Sequence, residues 1–156
     1  MGGICAFFGH RDTVPTSHLE REMERILRTL ITEGIDEFWC GEYGNFDWLS
    51  HYILRQLQKE FRFIKICLVS AYNPNKYPIL RQESLTELYD ELIYTDEIAN
   101  GPTRFSIIRR NHYIARNADV IVCYVEHKYG GSYEALQYAL QFNPKIINVA
   151  EKYFYE

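Results

Sequence analysis

The segment Asp119-Val120-Ile121-Val122-Cys123-Tyr124-Val125-Glu126 runs on into His127-Lys128-Tyr129-Gly130-Gly131-Ser132-Tyr133-Glu134-Ala135-Leu136. No other stretch limits the fold so tightly. Its β-branched apolar run is short and flanked by turn residues, which predicts a strand buried on both faces, as in a parallel sheet. Tyr133, Leu136, Ala139 and Leu140 then follow at helical spacing. Between strand and helix, Gly130 and Gly131 let backbone N–H groups approach an anion where the helix dipole favours negative charge. Most glycine pairs only turn the chain. A phosphate or carboxylate site here therefore needs support from elsewhere.

Earlier segments repeat the alternation of strand and helix. Ile4-Cys5-Ala6-Phe7-Phe8 reads as a strand leading into Gly9-His10-Arg11-Asp12. A helix opens at Pro15 and Ser17, with Ser17 and Glu20 as a capping box, and Leu19, Met23, Ile26, Leu27, Leu30 and Ile31 form its apolar stripe up to Gly34. Glu37-Phe38-Trp39-Cys40 is a second strand entering Gly41-Glu42-Tyr43-Gly44-Asn45-Phe46-Asp47. The helix after it has Asp47 as N-cap, buries Leu49, Ile53 and Leu57, and places Trp48 in the core. A third strand covers 65–70, a loop 72–78, a short helix 83–91 and a small strand 92–95. A helix from Thr103 carries Phe105, Ile108, His112 and Ile114 together with Arg109 and Arg110, and a last strand covers 145–149. Alternating strands and helices give an α/β, Rossmann-like three-layer fold with a mainly parallel sheet, here as a single domain over 1–156. Ligands of open α/β sheets bind outside the carboxyl ends of the strands, at the topological switch. The loops after Phe8, Cys40 and Val125 are expected to converge there in one cleft.

Composition narrows the function. The net charge of −4 and pI near 5.8 argue against a nucleic-acid partner, because such surfaces are normally basic. Cys5, Cys40, Cys67 and Cys123 form no C-x-x-C pair and lie in or beside apolar runs. They read as buried, reduced thiols and point to a cytoplasmic setting. The histidines at 18, 51, 112 and 127 lack metal-ligand spacing, so neither metal nor cofactor is expected. No apolar run approaches the ~18 residues of a membrane span, and the first residues lack the regions of a signal peptide. No membrane partner is expected. The Tyr-rich 72–94 region and Tyr153-Phe154-Tyr155 offer aromatic surface for a homodimer.

Phe7-Phe8-Gly9-His10-Arg11 and Gly41-x-x-Gly44-x-x-Asp47 resemble motifs of the SLOG superfamily, especially its YpsA-like branch. So do an arginine-bearing helix before Ala118-Asp119 and Gly130-Gly131-Ser132 before a helix with Tyr138-Ala139. The resemblance spans almost the whole chain in order. It implies a Rossmann-like domain that binds nucleotides or nucleotide-derived ligands, in some branches as a sensor. Related LOG enzymes are phosphoribohydrolases, splitting a nucleoside monophosphate into free base and ribose 5-phosphate. Laid on their Gly-Gly-x-Gly-Thr-x-x-Glu loop, Gly131-Ser132 falls on Gly-Thr, but Ala135 stands at the catalytic glutamate. Glu134 comes one residue early, about 100° away around a helix.

The expected ligand is a phosphorylated nucleoside or nucleotide-derived small molecule, held by a sensor or binding protein. Arg11 would bind its phosphate bidentately with His10 adding a bond, and Gly9 would form the tight turn. Gly41, Gly44 and Asp47 line the second loop, where Asp47 either caps a helix or bonds ribose hydroxyls. Tyr43, Phe46 and Trp48 are stacking candidates. Adjacent helical residues diverge by about 100°, so at most one of Arg109 and Arg110 faces the cleft; the resemblance puts an arginine of this helix at the ligand. Gly130, Gly131 and Ser132 cradle phosphate. Two alternatives stand beside this reading. One is an N-glycosidic hydrolase using Glu42 or Glu134; the other is a structural or interaction protein with a decayed site.

Overall fold

The computed structural model describes residues 2–150. The expected Tyr153-Phe154-Tyr155 surface lies outside them. Six parallel strands form one sheet: β1 Gly3–Gly9, β2 Ile35–Cys40, β3 Lys65–Val69, β4 Glu91–Ile93, β5 Val120–Tyr124 and β6 Lys145–Asn148, in the order β4-β3-β2-β1-β5-β6. The helices are α1 Ser17–Thr32, α2 Asn45–Gln58, α3 Ile79–Leu88, α4 Asp96–Ala99, α5 Ser106–Asn117 and α6 Gly131–Ala139. The α/β, Rossmann-like fold expected from the sequence is the fold observed.

Side chains alternate across the strands, and each face of the sheet has its own core. Cys5, Phe7, Phe38, Cys40, Ile66, Leu68, Val120, Val122 and Tyr124 pack with the buried faces of α1 and α2. Ala6, Phe8, Trp39, Cys67, Val69, Ile121, Cys123 and Val125 pack with Ile98, Ile114, Ala115, Leu136 and Ala139 on the other side. Being covered on both faces explains the unbroken apolar runs of these strands. All four cysteines are buried and free, and burial pushes the Cys67 thiol up to about 12.

Strand order decides where a cleft forms. From β1 the chain winds outward to β2, β3 and β4, then crosses back to place β5 on the other side of β1. The carboxyl ends of β1 and β5 are thus the topological switch. In register, Phe8 pairs with Cys123 and Gly9 with Tyr124. The loops that begin at His10 and Val125 therefore leave the sheet side by side.

Several local expectations need correcting. The cap of α1 is Thr16, whose Oγ1 accepts the Leu19 N–H at 3.1 Å, and Ser17 is the first helical residue. Two hydroxyl residues in succession fit the same signal, and only backbone geometry separates them. The N-cap of α2 is Gly44, so Asp47 lies within the first turn. Trp48 is 44% exposed. The helix expected at 83–91 is α3, which begins earlier, and α4, capped by Thr95, was not foreseen. The inward face of α5 is Ser106, Arg110, Asn111, Ile114 and Ala115, whereas Phe105 and Ile108 are exposed. Both faces show helical spacing. An arginine on the inner one hides it from a reading based on apolarity.

Candidate functional site

The β1 exit is fixed by its own backbone. The His10 N–H donates to the Tyr124 carbonyl at 3.3 Å and extends the β1–β5 ladder, while the Thr13 N–H and hydroxyl turn back to the His10 carbonyl at 3.3 and 2.8 Å. His10 is buried, and its Nε2 accepts the Glu126 N–H at 3.0 Å. That bond requires an unprotonated Nε2. Burial, and then nearby His127, hold the His10 pKa below its ordinary value, in accord with the bond. His10 thus ties the β1 exit to the β5 exit as a neutral ring.

Three glycines of the region, Gly9, Gly41 and Gly44, are set by close packing. A Cβ on Gly9 would lie 2.3 Å from the Phe46 ring, and one on Gly44 would lie 2.5 Å from Arg11 Cα. Phe46 is fully buried there, which removes it as a stacking surface. Gly41 is the functionally suggestive one. A Cβ at that point would be 2.7 Å from both Arg110 Nη1 and Asp47 Oδ2. The absent side chain leaves room for both groups.

Arg110 and Asp47 are the buried charges of this region, 4% and 6% exposed. Among the described residues, no hydrogen-bond acceptor meets Nε or Nη1 of Arg110. Its guanidinium lies 5.7 Å from the Tyr43 ring centroid. A buried cationic donor without acceptors is costly, on the order of 1–3 kcal/mol or more. Asp47 accepts the Tyr43 N–H at 3.0 Å. Burial raises its carboxyl to about 6, against the opposing pull of Arg110. Neighbouring Arg109 has the opposite fate: it donates to the Ile98, Gly101 and Pro102 carbonyls at 2.7, 3.3 and 2.8 Å and clamps the loop before α5.

The third wall is the start of α6. Gly130 has φ +91° and precedes the first helical residue, Gly131. The first helical hydrogen bond runs from the Glu134 N–H to the Gly130 carbonyl at 3.0 Å, which leaves the preceding N–H groups at the helix start without helical acceptors. The Ser132 hydroxyl donates to the Gly9 carbonyl at 2.7 Å and ties α6 to the β1 exit.

These parts form a cleft of about 320 Å³, lined by Gly9, His10, Arg11, Asp12, Tyr43, Asp47, Arg110, Asn111, His127, Tyr129, Gly130, Gly131 and Ser132. Phe7 and Phe8 also line it. On one side the rings of His10 and His127 stack at 3.7 Å and 8°, and His127 and Tyr129 stack at 4.2 Å and 17°. Tyr129 ends this ladder 68% exposed.

Of the residues expected from the sequence, the cleft brings together Gly9, His10, Arg11, Asp47, Arg110, Gly130, Gly131 and Ser132. It is not lined by Gly41, Gly44 or Arg109. Neither candidate acid is at the cleft: Glu42 accepts from Arg81 Nη2 at 2.8 Å, and Glu134 is exposed. Sequence reasoning passed over His127, Tyr129 and Asn111. The alternation His127-x-Tyr129 straight after a strand was the available signal, since alternate residues of an extended segment share a face. Among the described residues, no group of His, Cys, Asp or Glu is arranged to hold a metal ion, and no helix is long and apolar enough to cross a membrane.

Fold and cleft together define a Rossmann-like α/β protein with its candidate site at the switch point. No family model matches the sequence, and no curated protein matches it. Among solved structures, the chain resembles DNA processing protein A from Helicobacter pylori, described for its single-stranded DNA binding mode, with a TM-score of 0.59 and 17% identity over 92% of this chain. It also resembles DNA processing protein A from Streptococcus pneumoniae, with a TM-score of 0.56 and 13% identity over 99% of this chain. This chain spans 63% and 62% of those two chains. The family expectation is met at the level of the fold.

The comparison corrects two expectations, a small phosphorylated nucleoside as ligand and the absence of a nucleic-acid partner. The two solved structures named above are DNA processing proteins, and one is described for its single-stranded DNA binding mode. The physical reason the charge argument misled is averaging. A net charge of −4 describes the whole chain and does not describe any one surface of it.

Proposed function

We propose that this cleft binds single-stranded nucleic acid. The observation that carries the reading is the buried, acceptor-poor guanidinium of Arg110 beside a ladder of stacked rings that reaches the surface at Tyr129. Single strands are held by cationic grooves that follow the phosphates and by aromatic faces on which unpaired bases stack. The cleft supplies two arginines, Arg11 and Arg110, beside Asp12 and Asp47, and the stacked rings of His10, His127 and Tyr129. A phosphate in the cleft meets Arg11 and the N–H groups at the start of α6, with the positive charge of Arg110 in the wall. A base extends the ladder on the free face of Tyr129. A duplex keeps its bases stacked inside and offers no such contact. With the fold shared by a DNA-binding protein, these features favour a strand over a free nucleotide.

Assignment to the SLOG superfamily and its YpsA-like branch is part of the proposal and rests on the order of four motifs. The single-domain reading of 1–156 rests on the absence of a linker in the sequence, and the cytoplasmic setting on the four buried thiols.

Fluorescence anisotropy with a labelled single strand and the matching duplex tests the function. The single strand binds more tightly, and log K falls with log salt with a slope on the order of −1.4 for contacts at Arg11 and Arg110. Arg110→Gln weakens it while thermal unfolding stays cooperative. Tyr129→Ala weakens it by about 1–3 kcal/mol. Equal affinity for strand and duplex, or full affinity in Arg110→Gln, contradicts the proposal.

A further inference from the structure

The outer face of α2 differs from the charged, solvated face that a surface helix usually shows. The exposed positions of this helix and its cap are Asn45, Trp48, Tyr52, Gln56 and Lys59, with half-buried Arg55 beside them. Steps of three and four residues place them in one stripe along the helix. Trp48 and Tyr52 are 44% and 53% exposed. Trp48 is braced from below: its ring meets the His51 ring edge-on at 6.1 Å, and His51 Nε2 is bonded to the Leu88 carbonyl at 2.8 Å.

Beyond the rings the stripe turns basic. Residues 48–59 include no aspartate or glutamate, and a hollow at the end of α2 is lined by Arg55, Gln58, Lys59 and Arg62. Lys59 donates to the neutral amide of Gln56 at 3.2 Å. Of the carboxylates nearby, Glu60 pairs with Arg28 at 2.7 Å. Asp90, 4.0 Å from Arg55, accepts from the Ile66 N–H and from Gln58, both at 2.8 Å. A helix C-terminus favours cations without any ligand, but that does not account for two large rings on the solvent side ahead of them. The other end of the stripe adjoins the cleft, because the Asn45 N–H donates to the carbonyl of Arg11, a cleft residue, at 2.9 Å.

We infer that a single strand leaving the cleft at Arg11 continues along the outer face of α2, with bases against Trp48 and Tyr52 and phosphates toward Arg55 and Lys59. This rests on the strand-binding reading above. Aromatic faces interleaved with cations are what an unpaired strand requires, one for its bases and the other for its backbone. The helix rises about 16 Å from Trp48 to Lys59, the length of about five nucleotides at 3.4 Å each.

Trp48 supplies its own readout. The chain has two tryptophans, and the other, Trp39, is 5% exposed, so quenching of the emission by a stacked base reports on Trp48. Oligothymidylate of roughly 16 nucleotides, the upper end of single-strand site sizes, quenches the unaltered chain as it binds. Trp48→Ala and Tyr52→Ala each weaken its binding by about five-fold or more, and Lys59→Gln reduces the slope of log K against log salt by about 0.7. All three side chains are exposed, and thermal melts of the variants stay cooperative. Binding without quenching, at full affinity in both alanine variants, overturns the α2 path and leaves the cleft reading intact. Loss of affinity in those variants with full affinity in Tyr129→Ala overturns the continuous path and puts the strand on α2 alone. Absence of binding by the unaltered chain overturns both readings.

Discussion

Arg109 and Arg110 are consecutive on α5, yet the first donates to three loop carbonyls while Nε and Nη1 of the second meet no acceptor among the described residues. The one-residue rotation of a helix produces that difference. Beside Arg110, Asp47 has a predictable pH signature. Burial raises its carboxyl from an ordinary 3.8 to about 6, so between those values the folded state holds more protons than the unfolded one. Stability then falls as pH rises through this window and levels off above about 6. Asp47→Asn keeps an acceptor for the Tyr43 N–H and cannot ionise. Urea unfolding of the variant shows stability equal to the parent near pH 4 and higher at pH 7, by about 2–3 kcal/mol, with the downward slope gone. A carboxylate also opposes an incoming phosphate, so the same variant binds a strand more tightly at pH 7. A parent profile that rises between pH 4 and 6 through Asp47 refutes the assignment.

At the scale of elements, the caps and strand ends bring the cleft together. Thr16 caps α1 through its hydroxyl and lies outside the cleft lining. Thr16→Ala lowers stability by about 1 kcal/mol, a fall of roughly 2–4 °C in Tm for a chain of this size, with strand binding unchanged. Ser17→Ala stays within about 0.5 kcal/mol. Thermal melts of both variants check this, and the reverse ranking would return the cap to Ser17. Most elements were legible because buried parallel strands keep continuous apolar runs, as at Val120–Tyr124 and Lys65–Val69. The inner face of α5 was not, since 105, 108 and 112 share helical spacing with 106, 110 and 114. Hydropathy has no means of placing an arginine inside. Loops that meet at the strand ends could be anticipated as a set, but partners could not: the residue that occupies Glu42, Arg81, is 39 positions away in the sequence.

At the scale of the whole molecule, strand order concentrates the chemistry. Because β5 returns to lie beside β1, the loop at Gly9-His10-Arg11 and the loop at Gly130-Gly131-Ser132 face each other across one crevice, with α2 and α5 contributing Asp47 and Arg110 to it. The total charge gives no view of this arrangement, so it is no guide to what one cleft binds. A strand-binding cleft localised here makes a spatial prediction. In two-dimensional amide NMR of the isotopically labelled chain, titration with a short single strand moves the resonances of residues 9–12, 41–43 and 129–133 first and furthest. Those of α1 and the outer faces of α3 and β4 stay in place. Shifts centred on another face, or none at saturating strand, would contradict the account.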